Sequence, residues 1–149
     1  MKVLMGSDGS ELSLQAAQRA GALFGDVDAV TVLAVITSTP GDDAGGIEGS
    51  TETPAQVEAE IASEEADARA AIDAVVAVLP DSWKPQVHAR LEAGDAGPML
   101  VWVAEQEGFD VIVVGSHGKG RLKRLVLGSV SEHVVRHAHC PVLVVRGSD

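Results

Sequence analysis

At 149 residues and 46% apolar composition, the chain is long enough for one domain with a real core, expected to span residues 1–149. Its formal net charge of −11 argues against nucleic acid or an anionic membrane as the main partner. With only 3% aromatic residues the core must be built from Val, Leu, Ile and Ala, and the single cysteine, Cys140, excludes an intramolecular disulfide.

Lys2–Met5 reads as a short buried strand starting straight after Met1. No signal peptide and no apolar run of membrane-spanning length is read, so a cytoplasmic location without membrane insertion is expected. The turn Gly6–Ser10 leads into a first helix with Ser10 as N-cap and Leu12, Ala16, Ala20 and Leu23 on one face, ended by Gly25-Asp26. Ala29–Ile36 is almost wholly apolar, as suits a central parallel strand covered on both sides. Thr37–Thr53, rich in Gly, Asp, Ser and Thr, reads as a long loop.

Thr53-Pro54-Ala55-Gln56 then combines an N-cap threonine, a proline at the first helical position and a capping-box glutamine. The second helix carries Val57, Ile61, Ala68, Ile72, Val75 and Leu79 as its apolar stripe, with Glu60, Glu64 and Asp67 facing water. Pro80–Pro85 closes it. Gln86–Leu91 alternates, with Val87, Ala89 and Leu91 inward, as a half-exposed edge strand would. Gly94–Pro98 opens a third helix over Met99–Glu107, stopped by Gly108. Val111–Val114 is the fourth strand, Ser129–Ala138 the fourth helix and Val142–Val145 the fifth strand.

Strands alternating with helices predict an α/β domain: a doubly wound, Rossmann-like, five-stranded parallel sheet with helices on both faces. The apolar first strand and the alternating third favour the order 3-2-1-4-5. In such sheets a ligand sits beyond the strand carboxyl ends where the order reverses, here between strands one and four. Asp8 and Gly115 follow those two strands.

The stretch from Gly115 to Ser131, GSHGKGRLKRLVLGSVS, carries the chemistry. Four of the eleven Lys and Arg residues, Lys119, Arg121, Lys123 and Arg124, fall inside it. Glycines where a strand crosses to a helix let a ligand approach the main chain, and a helix start offers open N–H groups and a positive dipole end. With nearby cations this is a phosphate-binding design. Gly118 and Gly128 are expected to present backbone N–H groups. Ser129, Val130 and Ser131 line the helix start, and His117, Lys119 and Arg121 stand ready to add charge or hydrogen bonds. Ordinary readings compete: loop glycines, an Asx turn at Asp8-Gly9, and a Ser129–Glu132 capping box whose carboxylate would repel phosphate.

Rival motifs fail. Gly115-x4-Gly120 is followed by Arg121-Leu122, so it is no Walker loop, and no G-x-G-x-x-G follows the first strand. His133 and His137, with His139 and Cys140 beyond, lack the HExxH pattern, so no metal site is expected. Cys140 reads as a packed residue and not as a nucleophile.

The spacing Gly115-x2-Gly118-x9-Gly128-Ser129, the opening KVLMGSDGS ending its strand before Asp8, and the closing HCPVLVVR of His139–Arg146 together resemble the ATP-binding branch of the universal stress protein family. The resemblance covers essentially the whole chain. It implies that the adenosine lies at the first two strand ends, with Gly6 and Asp8 against ribose and base and the Val35 backbone against adenine. It implies ATP, with magnesium carried on the phosphates, held by a stress-response regulator that senses or stores nucleotide and acts on a protein partner the sequence does not identify. It also implies a homodimer through Val142–Val145, which an apolar strand at a sheet edge independently calls for. Two other readings stay open: a slow ATPase, for which Asp8 and His117 are the only candidate bases, and a dimeric scaffold indifferent to nucleotide. ATP against AMP or a cyclic nucleotide also stays open.

Overall fold

The computed structural model describes residues 1–37, 53–118 and 127–147. Most of the expected Thr37–Thr53 loop therefore lies outside the described residues, as do Lys119, Arg121, Lys123 and Arg124. The elements run β1 (Lys2–Gly6), α1 (Glu11–Leu23), β2 (Ala29–Ile36), α2 (Pro54–Val78), β3 (Val87–Ala93), α3 (Ala96–Glu107), β4 (Val111–Gly115), α4 (Ser129–His137) and β5 (Val142–Val145). A single turn of 3-10 helix, Lys84–Gln86, precedes β3. The five strands form one parallel sheet in the order β3-β2-β1-β4-β5, as the sequence predicts.

The strand period of two divides the core into layers. Val3 and Met5 of β1, with Val30, Val32 and Val113, pack on Ala16, Ala17 and Ala20 of α1 and Ile72 and Val75 of α2. Leu4, Leu33, Ile112 and Val114 face the other way, onto Leu100, Val103 and Ala104 of α3 and Val134 of α4. Met5 sits in register beside Val32 and Val113, so the central strand is covered on both faces and both edges.

Local signals set the boundaries. Ser10 caps α1 by accepting from Ser13 N–H. At the start of α2, Thr53 Oγ1 accepts from Gln56 N–H at 3.3 Å while Gln56 Oε1 accepts from Thr53 N–H at 2.8 Å. Gly108 ends α3 with φ +64°, the left-handed conformation in which a Cβ is strained. Helix α3 begins earlier than expected, at Ala96, because Pro98 falls within its first turn, where no intrahelical N–H is lost.

Two packing expectations need correction. Leu23 is 58% exposed, and the inward position one turn beyond Ala20 belongs to Phe24, which stacks on Trp83 at 6.5 Å. Trp83 itself, only 2% exposed, donates from Nε1 to Gly25 O at 3.0 Å and plugs the gap between α1 and α2. On β3, Val87 and Leu91 pack inward but Ala89 is exposed at the sheet's outer edge.

Candidate functional site

The carboxyl ends of β1, β2 and β4 and the start of α4 enclose a cavity of about 480 Å³. From β1 and its turn come Gly6 and Asp8, from β2 Val35, from β4 and the following turn Gly115, His117 and Gly118, and from α4 and its cap Gly128, Ser129, Val130 and Ser131. Every site residue expected from the sequence that lies among the described residues is on this wall. Lys119 and Arg121 lie outside the described residues. Sequence reasoning missed the apolar wall formed by Leu33, Leu100 and Val114, and the neighbouring Ser7. Parity offers a signal for one of these, since Leu33 shares its strand face with Val35.

Each glycine has a distinct steric reason. A Cβ on Gly118 would lie 2.7 Å from Asp8 Oδ2, so only glycine lets this carboxylate rest on the turn after β4. A Cβ on Gly115 would sit 3.1 Å from the backbone carbonyl of Leu12, which makes that glycine part of the β4–α1 packing. On Gly128 it would crowd His117 Cα and Ser116 O at 3.3 Å. Asp8 also forms the Asx turn, its Oδ1 accepting from Ser10 N–H at 2.9 Å. It is the one carboxylate among the described wall residues.

The helix start differs from expectation in three ways. First, Gly128 and not Ser129 is the N-cap, and its N–H donates to Ser116 O at 2.7 Å, so it is not offered to a ligand. Second, the Ser129–Glu132 capping box does not form. Glu132 Oε1 instead pairs with Arg136 Nη2 at 2.9 Å, one turn along, which takes its charge away from the helix start. Third, the Ser131 hydroxyl, on a residue 2% exposed, is shared between Ser116 O at 2.8 Å and Gly128 O at 3.0 Å. It fastens the helix start to the end of β4. What remains open are the N–H groups of Ser129, Val130 and Ser131, since the first intrahelical bond is Glu132 N–H to Gly128 O. They lie at the positive end of the α4 dipole, where an anion is favoured.

His117 adds a second polar feature. Its Nδ1 lies 2.9 Å from Ser116 Oγ, while its Nε2 is closed off from water and meets no hydrogen-bond partner among the described residues. The wall thus has an apolar side fit for a flat, weakly polar group, an open helix start fit for an anion, and a buried imidazole nitrogen lacking its partner. That combination fits a nucleotide.

Elsewhere, the His133 and His137 rings stack at 4.1 Å, and His137 Nδ1–H donates to His133 O at 2.8 Å. Among the described residues no three His, Cys, Asp or Glu side chains converge as metal ligands. Burial raises the Cys140 thiol above its ordinary pKa, which suits packing more than reactivity. No helix among the described residues is long and apolar enough to cross a membrane.

The family model described as "Universal stress protein family" matches residues 1–146. Universal stress protein MJ0531 of Methanocaldococcus jannaschii is 33% identical over 148 residues, covering 97% of this chain and 81% of its own. Among solved structures, that of MJ0577 from the same organism superposes with a TM-score of 0.72 at 27% identity, covering 99% of this chain and 96% of that one. A universal stress protein solved in complex with cAMP superposes with a TM-score of 0.64 at 24% identity, covering 99% and 98%.

Proposed function

The chain belongs to the universal stress protein family, and from that premise we propose that it is a cytoplasmic regulator that holds an adenine nucleotide, ATP foremost, in the cavity at the carboxyl rim of its sheet. The observation that carries the reading is the joining of an apolar wall (Leu33, Val35, Leu100) to an open helix start (Ser129, Val130, Ser131) within one cavity. The base packs along the first, with the Val35 backbone at its edge. The phosphates meet the second, together with the Gly118 main chain. Gly6 and Asp8 stand between them, at the ribose.

Magnesium bound to the phosphates would neutralise part of their charge beside Asp8. The loop cations Lys119 and Arg121 serve the same end in this reading. We place the protein as a binder and not a catalyst. Phosphoryl transfer needs a group to orient the attacking water. Asp8, the one carboxylate on the described wall, is already turned toward Ser10 N–H. Contacts made equally to ground and transition states give affinity without rate.

The same reading puts a second copy of the chain along β5. Val142–Val145 forms an outer strand of the sheet, and all four residues are only partly buried by their own chain. A bare apolar edge strand invites pairing, and two-fold pairing closes it. Sedimentation at micromolar concentration is expected to return a dimer.

The test of the nucleotide reading is to denature purified protein and identify what it releases, followed by calorimetric titration of the emptied protein with ATP, AMP and cAMP. Released adenine nucleotide and tightest binding to ATP are expected. Failure of all three to bind would remove the reading.

A further inference from the structure

Ser116, directly after β4, ties together the end of β5, the start of α4 and the neighbouring His117. Its N–H donates to Val145 O at the end of β5, and its carbonyl accepts from Gly128 N–H and from the Ser131 hydroxyl at the start of α4. Its own hydroxyl lies 2.9 Å from His117 Nδ1 and has no other partner among the described residues. The residue is 1% exposed, and a hydroxyl so enclosed must give its hydrogen to an acceptor. Nδ1 is the acceptor within reach.

A neutral imidazole has one donor nitrogen and one acceptor nitrogen. With Nδ1 accepting from Ser116, the ring hydrogen belongs on Nε2. That nitrogen is shut away from water and finds no acceptor among the described residues. A donor left in this condition is unfavourable until an acceptor reaches it. His117 is part of the cavity wall, so a ligand seated against that wall is the natural source of one.

We propose that Ser116 is a positioning residue: its hydroxyl fixes His117 in the tautomer carrying hydrogen on Nε2, and an oxygen of the bound nucleotide supplies the missing acceptor. The ligand half of this statement rests on the nucleotide reading above; the tautomer half does not. A phosphate oxygen is the favoured acceptor, because a hydrogen bond to an anionic oxygen is stronger than one to a neutral group.

The test is the nitrogen NMR spectrum of the histidine rings in the full chain at alkaline pH. His117→Gln identifies the His117 signals among the five histidines. Without nucleotide, the wild type is expected to show a pyrrole-like Nε2 and a pyridine-like Nδ1; the reverse pattern would overturn the proposal and requires no variant. On saturation with ATP, the Nε2 resonance is expected to move and its hydrogen to exchange more slowly. ATP bound by calorimetry with Nε2 unmoved would overturn the ligand contact. No ATP binding at all would remove the nucleotide reading and the contact with it, while the nucleotide-free spectrum still judges the tautomer. Ser116→Ala keeps every backbone bond of residue 116. It is expected to mix the two tautomers and weaken ATP binding about threefold to tenfold. Unchanged affinity in a tautomer-mixed Ser116→Ala protein would count against the positioning role.

Discussion

Along the amino-terminal rim of the sheet, groups between elements find partners at once. Asp28 N–H donates to Met1 O and Asp110 N–H to Lys2 O, each at 2.9 Å, while Lys2 N–H reaches Asp110 Oδ2 at 2.6 Å. Trp83 and Phe24 fill the space between the helices there. Along the carboxyl rim the same strands end in Gly6 and Gly115, the walls draw apart around a cavity, and the first three N–H groups of α4 lack intrahelical partners. One rim is closed by large side chains and satisfied hydrogen bonds. The other is kept open by small residues and unfilled donors, as expected where an α/β sheet takes its ligand. Stability and binding are therefore separable where a residue serves only one of them, so substitutions at Trp83 and at Gly118 should fail in different assays.

The largest effect is expected from Trp83→Ala. Emptying a site that is 2% exposed and removing its bond to Gly25 O should cost about 3–5 kcal/mol in denaturant unfolding. ATP affinity per folded molecule should stay within a factor of two or so, because Trp83 is far from the carboxyl rim in the fold; an affinity loss as large as the stability loss would break the separation.

Gly118→Val tests the other rim. Its clash is with Asp8 Oδ2, the end of an exposed side chain that can swing aside, so the fold should survive. The new bulk enters the cavity, and ATP affinity should fall about a hundredfold or more, roughly 3 kcal/mol, in a titration of folded protein. Wild-type affinity in that variant would take the glycine out of the site. Gly115→Ala should behave differently, since its clash is with the Leu12 backbone, and it should lower the unfolding midpoint as well.

Ser131 holds the open rim together from beneath, so Ser131→Ala touches both properties. Loss of its bonds to Ser116 O and Gly128 O should cost about 1–2 kcal/mol of stability, with a smaller weakening of ATP binding through a looser helix start. Chemical denaturation read beside calorimetry separates the two.

The smallest effect concerns Asp81, an exposed residue in the turn that carries Trp83. Lys84, 2.6 Å away, holds its carboxyl below the usual range. A depressed carboxyl contributes stability above the unfolded pKa and loses it as pH falls through the folded one. Asp81→Asn should therefore lower the thermal midpoint slightly near neutrality and match wild type in acid. Equal midpoints throughout would show that the pair contributes nothing.

Much of this architecture was legible in the residues themselves. Ala29–Ile36 is apolar on both faces because both faces are covered, and Thr53-Pro54-Ala55-Gln56 carries its helix start in side chains only three residues apart. The glycine spacing pointed to the cavity because close backbone approach leaves glycine as its mark. Tertiary partners hid the rest. Ser129 has the residue type of an N-cap, yet Ser116 O takes the Gly128 N–H and moves the cap back by one residue. Leu23 and Phe24 are equally apolar, and only the position of Trp83 decides which turns inward. Leu33 and Leu100 are core residues, and apart from the parity that Leu33 shares with Val35, their second role at the cavity wall depends on β2 and α3 lying either side of an opening.

In the proposed complex an adenine nucleotide lies at the carboxyl rim, with its base on the β2 wall. A photoactivatable azido-adenine analogue of ATP, irradiated on the protein and mapped by peptide mass, tests it most directly. Label is expected on the peptides carrying Gly6–Asp8 or Val35, suppressed by excess ATP and absent in Gly118→Val. Label that ATP suppresses on the outer face of α2 or at the amino-terminal rim around Trp83 would contradict it.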